Sequence, residues 1–258
     1  MFVATPGRHN EPVRKLPAND RYALTLLAVF LLVFAALAYA PHYRQDWLLE
    51  NVLVFILVPA AILSHFVLPL SRISYTLIFV FLCWHEVGAH YTYAEVPYDR
   101  WFEAAFGTGL NDLLGWDRNH FDRLVHFLWG LLLTYPVREV FIRLSNAKGF
   151  WTYLFPFLVA ISTSTIFELL EWAAAIIFGG ELGIAYLGTQ GDVWDAHKDT
   201  SLAMLGSFIA TCIIASVVAS LDRDFAREWA DSLTVKHPEP LGEVEIARLL
   251  AERENDSE

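Results

Sequence analysis

Residues 152–178 read TYLFPFLVAISTSTIFELLEWAAAIIF. The run exceeds the roughly 20 apolar residues that cross a hydrocarbon core, yet it holds two carboxylates, Glu168 and Glu171. Charge at the centre of a membrane helix costs about 2.5–3.5 kcal/mol on insertion scales and usually marks function. The stretch therefore predicts a membrane helix that carries a site. Runs of similar character occur at 22–40, 48–70, 73–91, 122–142 and 198–221, each bounded by Pro, Gly or charge. The chain has 258 residues, 55% of them hydrophobic, above the roughly 45–50% of a soluble domain. The expected fold is all-α, a polytopic membrane helical bundle of about six transmembrane helices over residues 22–221.

The first run ends Ala36-Leu37-Ala38-Tyr39-Ala40 before Pro41, which imitates a signal-peptidase site. It is longer than the roughly 7–15-residue core of a signal peptide, so an uncleaved first helix is expected. Ser71-Arg72 predicts a tight hairpin between the second and third spans. Residues 92–121 hold Trp101, Phe102, Phe106, Leu110, Leu113, Leu114 and Trp116 among acids, the composition of an interfacial segment. Cys83 and Cys212 lie in apolar runs and read as core residues rather than a disulfide.

Lys and Arg residues set the orientation. One side collects the bases of residues 1–21 with Arg72, Arg138, Arg143, Lys148, Arg223 and Arg227; the other holds Arg44, Arg100, Arg118 and Lys198. That bias predicts a bacterial inner-membrane protein with both termini cytoplasmic and the 92–121 and 179–197 segments outside. The net charge is −11, and residues 222–258 carry eleven acids against five bases. So acidic a balance excludes nucleic acid as a partner. The tail is expected to be solvated and partly disordered, with an amphipathic helix through Leu241, Val244, Ile246, Leu249 and Leu250 as the alternative.

This topology brings the intramembrane charges to one depth. Glu86 and His90 approach the outer end of the third span, and Asp122 and His126 open the fourth. Glu168 and Glu171 lie in the outer half of the fifth, and Asp195 and Asp199 begin the sixth. Glu86/His90 and Asp122/His126 are each four apart, on one helix face. Either pair could bind a metal or exchange a proton; the alternative is a polar link between two helices. Glu168 and Glu171, three apart, repel unless they share a proton or a cation. His85-Glu86-Val87-Gly88-Ala89-His90 is near the H-E-x-x-H zinc motif, but its second histidine is one residue too far. Asp192, Asp195 and Asp199 are expected along one helix stripe, with His197 and Lys198 pointing away from it. Arg123 is the one arginine set against six acids, so a divalent cation or shared protons must complete the neutrality. The metal-ligand set is Glu86, His90, Asp122, His126, Glu168, Glu171, Asp195 and Asp199. Glu168, Asp199 and His126 are the candidate catalytic groups. Carboxylates with imidazoles suit Zn, Mn or Fe, and carboxylates alone suit Mg or Ca.

Four stretches carry a resemblance: His90–Pro97, Arg118–Phe127, Phe167–Trp172 and Gly188–Asp199. Across roughly residues 25–220 the chain resembles the YjdF-like family of bacterial inner-membrane proteins, which implies the fold and the location but no chemistry. A looser similarity reaches the VanZ-like group, through Asp122-x-x-x-His126-Phe127 and Asp195-x-x-x-Asp199. It implies envelope lipid or cell-wall precursor chemistry. The leading expectation is metal-dependent chemistry on membrane lipid or a lipid-linked substrate, with no particular protein partner indicated. A cation or proton transporter, or a structural membrane protein, are the alternatives.

Overall fold

Long apolar runs with few charges close their backbone hydrogen bonds within one helix, the solution a bilayer demands. The computed structural model describes residues 17–180, 183, 187–236, 238 and 240–255, and contains no strand among them. The expected segment 1–21 thus lies mostly outside the described residues, as does part of 179–197. The chain forms a helical membrane bundle. Helices α1 (Ala18–Ala38), α2 (Arg44–Glu50), α3 (Val52–His65) and α4 (Arg72–Tyr91) are followed by two short ones, α5 (Tyr98–Phe106) and α6 (Leu110–Leu114). The long helices α7 (Phe121–Ser145), α8 (Trp151–Phe178) and α9 (Asp195–Leu221) come next, then α10 (Phe225–Ser232) and α11 (Leu241–Asn255).

Among the described residues five spans are long and apolar enough to cross a membrane: α1, α2 with α3, α7, α8 and α9. The sixth expected span, α4, has the length, but His85, Glu86 and His90 lower its apolarity. It packs against α1 and α7, so protein takes the place of lipid around it. The second span differs from expectation. Its helix begins at Arg44 rather than 48, breaks at Asn51, and ends at His65 rather than 70. Trp47, Leu48 and Leu49 make the Asp46 to Glu50 turn apolar enough to enter the bundle despite its acids. The connection to α4 is accordingly longer than the two residues expected.

α7 is the hub, packing on α4, α8 and α9. Its crossing with α9 brings backbone to backbone. A Cβ on Gly130 would overlap the Ala203 carbonyl oxygen, and one on Gly206 the Phe127 carbonyl oxygen. Small residues let membrane helices approach this closely. Thr134 and Ser207, both buried, hydrogen-bond across the same seam at 2.6 Å.

Contacts between helix ends establish the up-and-down order. At one end Ser71, Glu139 and Arg143 meet, with Ser71 N–H and Oγ donating to Glu139 and Arg143 donating to the Pro69 carbonyl. At the other end His90 meets the Leu37 carbonyl, and Arg118 meets Asp195. The described part of the tail is largely exposed, as expected, but it is helical and touches the bundle at one place. α10 docks on the start of α8, with Trp229 against Phe150 and Tyr153. Ser232 Oγ accepts the Phe150 N–H, and residues 241–255 form a further helix, α11. Cys83 and Cys212 are free.

Candidate functional site

The segment between α4 and α7 places the first polar groups. Asn119 Nδ2 donates to the Val96 carbonyl, and Asn119 Oδ1 accepts the Phe121 N–H. The Tyr98 hydroxyl accepts the His120 N–H. These bonds satisfy donors that the start of α7 would otherwise leave open. Phe121 is then sealed in a core with Phe81, Tyr93, Val96 and Val125, and Asp122 and His126 follow on the next turns of α7.

Arg118 grips Asp195 with two parallel bonds, 2.7 Å to Oδ1 and 3.1 Å to Oδ2. Arg123 donates to Asp192 at 2.6 Å and to Asp195 at 3.0 Å. Lys198 completes the group on Asp192. Three expectations change here. Arg118 joins Arg123 in neutralising the acids. Lys198 turns towards Asp192 instead of away. Asp192 precedes α9 rather than sharing its stripe, and its Oδ1 accepts the Trp194 N–H in the entry turn. The Lys198 ammonium, the Trp194 N–H and Arg123 hold the Asp192 carboxyl well below the usual carboxylate range. Burial, with Arg123 and Arg118 nearby, lowers the His120 imidazole.

Beneath this lid lie groups with fewer partners. Asp122, Asp195 and Asp199 each offer an oxygen, and these oxygens lie within 4.8 Å of one another. Asp199 is 2% exposed and its Oδ1 has no partner. His126, buried, hydrogen-bonds Ser164 Oγ through Nδ1 at 3.1 Å. Its Nε2 lies 3.1 Å from Glu168 Oε1 and 3.6 Å from Asp122 Oδ1. Glu171, also buried, sits within electrostatic reach of Asp122, Glu168, Glu50 and Asp199. The structure thus brings Asp122, His126, Glu168, Glu171, Asp195 and Asp199 together.

Glu86 and His90 part company. Glu86 is fully buried, with both oxygens unpartnered. His90 bonds through Nδ1 to the Leu37 carbonyl at 2.6 Å and stacks near His42 and Tyr91, tying α4 to the end of α1. Of the two histidines, it is His85 that is buried. Its Nδ1 hydrogen-bonds the Tyr93 hydroxyl, and burial raises that phenol well above its ordinary range. Reasoning from sequence missed Asp46 and Glu50, buried at 1% and 4% exposure. They show the same i, i+4 spacing as the pairs that were recognised.

A cavity of about 1010 Å³ opens beside the polar groups. Trp84, Trp101, Phe106, Trp116, Phe127 and Leu202 form its apolar walls, and Arg123, Lys198, His120 and His197 its polar side. Aromatic walls with a few convergent polar groups are the usual make-up of a ligand pocket.

The family described as "Predicted membrane protein (DUF2238)" matches residues 22–220. The Inner membrane protein YjdF of Escherichia coli (strain K12) is 34% identical over 196 residues, which is 75% of this chain and 87% of that protein. No solved structure matches. The chain belongs to the DUF2238 family of membrane proteins, as its resemblance to YjdF-like sequences implied.

Proposed function

We propose that this DUF2238 protein resides in a bacterial inner membrane and carries out metal-dependent chemistry on a lipid or lipid-linked envelope substrate. One observation carries the reading. Arg123 lines the aromatic cavity and also binds Asp192 and Asp195, so the apolar space and the charged centre share a wall. An acyl or isoprenoid chain that enters from the bilayer exchanges one apolar surrounding for another, so the aromatic walls hold it by packing and shape. Its head would then sit at Arg123 and Lys198, whose charge complements a phosphate, with the neutral His120 imidazole beside them.

The donor set fits a divalent ion. Asp122 and Asp199 offer oxygens close together, and the orphaned Asp199 Oδ1 is an acceptor that a cation would satisfy. Asp195 is the poorest ligand of the three, because two arginines already occupy it. Zn, Mn or Fe suits the carboxylates with the neighbouring His126 imidazole, and Mg suits the carboxylates alone. Such an ion, when bound, supplies Lewis acidity to a phosphoryl oxygen or a water. His126 holds a proton between Ser164 and Glu168, and Glu168 Oε1 is placed to receive it. Arg118 fixes Asp195 and the turn at Gly188 and Thr189 against α7. The cluster of Arg72, Arg138, Arg143 and Lys148 at the opposite end supports an outward-facing site with both termini in the cytoplasm.

The test is turnover of an inner-membrane lipid extract by purified protein, followed by mass spectrometry with metal content measured in parallel. A lipid converted only with metal, and not by Asp199→Asn or His126→Ala, is the expected result. Wild-type protein that holds no metal and alters no lipid would overturn the reading.

Cation or proton transport is the second reading. It is favoured by Glu139 at the far end of α7 and by the Thr134–Ser207 pair between the ends. Flux in liposomes that disappears in Glu168→Gln would select it.

A further inference from the structure

A second polar centre lies on the other flank of α7, between α2 and α4. Asp46 and Glu50 project from one face of α2. Glu86 and His85 come from α4, Asn51 from the break before α3, and Thr92 from the turn after α4. All six are buried. The Thr92 hydroxyl lies beside the Asp46 carboxylate, and the His85 ring beside the Glu50 carbonyl. Glu50 is within electrostatic reach of Asp46, Asp122 and Glu86, so this centre adjoins the α7–α9 acids through Asp122 while drawing its own ligands from α2 and α4.

Fourteen buried side-chain atoms among the described residues lack a hydrogen-bond partner, and eight of them are here. They are both oxygens of Asp46 and of Glu86, Glu50 Oε2, Asn51 Oδ1, Thr92 Oγ1 and His85 Nε2. Seven are oxygens and one is an imidazole nitrogen. Buried polar groups are normally paired, and each exception calls for a ligand, a water or an ion. No cation is among the charges acting on Glu50 or Glu86 in the described residues. This is the opposite of Asp195, which two arginines neutralise.

His85 supplies an independent pointer. Its Nδ1 is held by the Tyr93 hydroxyl. The Tyr93 ring is seated over Gly88, where a Cβ would come within 2.7 Å of Tyr93 Cε1 and Cζ. The imidazole is thereby fixed with Nε2 unpartnered and its ring beside the Glu50 backbone. A metal-binding histidine is normally oriented in this way, by a hydrogen bond at its other nitrogen.

We propose that this α2–α4 centre binds a second divalent cation, separate from the one assigned to Asp122 and Asp199. Asp46, Glu50 and Glu86 supply the charge, His85 Nε2 the nitrogen, and Thr92 and Asn51 neutral oxygens. An oxygen-rich set with one imidazole suits Mn²⁺ or Fe²⁺ better than Ca²⁺. Only the α7–α9 trio already has its oxygens within 4.8 Å of one another among the described residues. The second centre must draw its carboxylates inward, so it binds more weakly. The proposal does not depend on the reading of the α7–α9 site.

Titrating chelator-stripped, full-length protein in detergent with Mn²⁺, and counting free Mn²⁺ by electron paramagnetic resonance, tests it. Two classes of site are expected. The paired changes Asp46→Asn and Glu50→Gln should weaken the looser class at least tenfold and leave the tighter one. Asp199→Asn should do the reverse. A single class, lost with Asp46→Asn and Glu50→Gln but kept in Asp199→Asn, upholds this centre and removes the α7–α9 metal. An isotherm unchanged by the paired substitutions overturns the proposal, since the buried carboxylates are then neutralised by protons alone. If the paired variant is not monodisperse, Glu86→Gln decides alone: loss of the looser class upholds the centre, and an unchanged class overturns it.

Discussion

Glutamate is withdrawn from water at both ends of this bundle, and the two ends treat it in opposite ways. Glu139 accepts from Ser71 N–H at 2.8 Å, from Ser71 Oγ at 2.7 Å and from Ser74 Oγ, with Arg143 3.5 Å away. Its carboxylate also faces the positive start of α4, where Ser71 is the cap. Glu86, on the same helix α4 but near its other end, has no partner for either oxygen. A charge with every lone pair answered holds two helices together. A charge left unanswered keeps its capacity for a proton, an ion or a substrate. The pattern of satisfaction, more than the presence of acids, therefore divides this molecule into an end where Glu139 is fully partnered and an end where Glu86 and Asp199 keep oxygens without partners.

The largest test breaks what the two ends share. Gly206→Leu inserts a side chain where the Phe127 carbonyl already sits, forcing α7 and α9 apart. A loss above about 3 kcal/mol is expected, read as failure to elute as a monodisperse species. The next test sets the ends against each other. Glu139→Ala strands the Ser71 and Ser74 donors and should cost about 3 kcal/mol, whereas Glu86→Gln keeps the shape and takes a partner from no donor, so it should cost less than about 1 kcal/mol. Equal losses in detergent-phase thermal unfolding would dissolve the distinction. The smallest effect is in acid. The folded state holds the Asp192 carboxyl below its model-peptide value of 3.8. Its contribution is present above that pH and is lost as pH falls through the folded value. Wild type should therefore begin to lose Tm below about pH 5 and go on losing it as the pH falls further, and Lys198→Met should flatten that slope.

Much of this contrast could be read from the chain. Apolar length located the helices, and alternation of direction placed Asp122, His126, Glu168, Glu171, Asp195 and Asp199 at one end, because each lies near a span terminus. What escaped was set by partners distant in sequence. Asp46 falls outside an apolar run that starts at Leu48, and Glu50 falls inside that run with its i−4 partner left out; packing against α4 makes the whole turn part of the bundle. Arg118 is 77 residues from Asp195, and no local pattern announces such a pair. Glu139 escaped because the bases around it were read for orientation alone, and the serines that satisfy it are 65 and 68 residues away. His90 and His85 exchanged places because the ring that reaches the interior is chosen by Tyr93 over Gly88, a contact of shape.

The glycine crossing of α7 and α9 has a mechanical consequence. Where two backbones touch without intervening side chains, neither helix can slide past the other, and the contact acts as a pivot. Asp122 lies eight residues above Gly130, and Asp199 seven residues above Gly206, lever arms of about 12 Å and about 10 Å. A rocking of roughly 10° about that point would move Asp122 by about 2 Å. Widening the trio about that point would leave the glycine seam in place but has to release the Arg118 and Arg123 bonds to Asp195. The two glycines become the fulcrum of a jaw whose teeth are the aspartates.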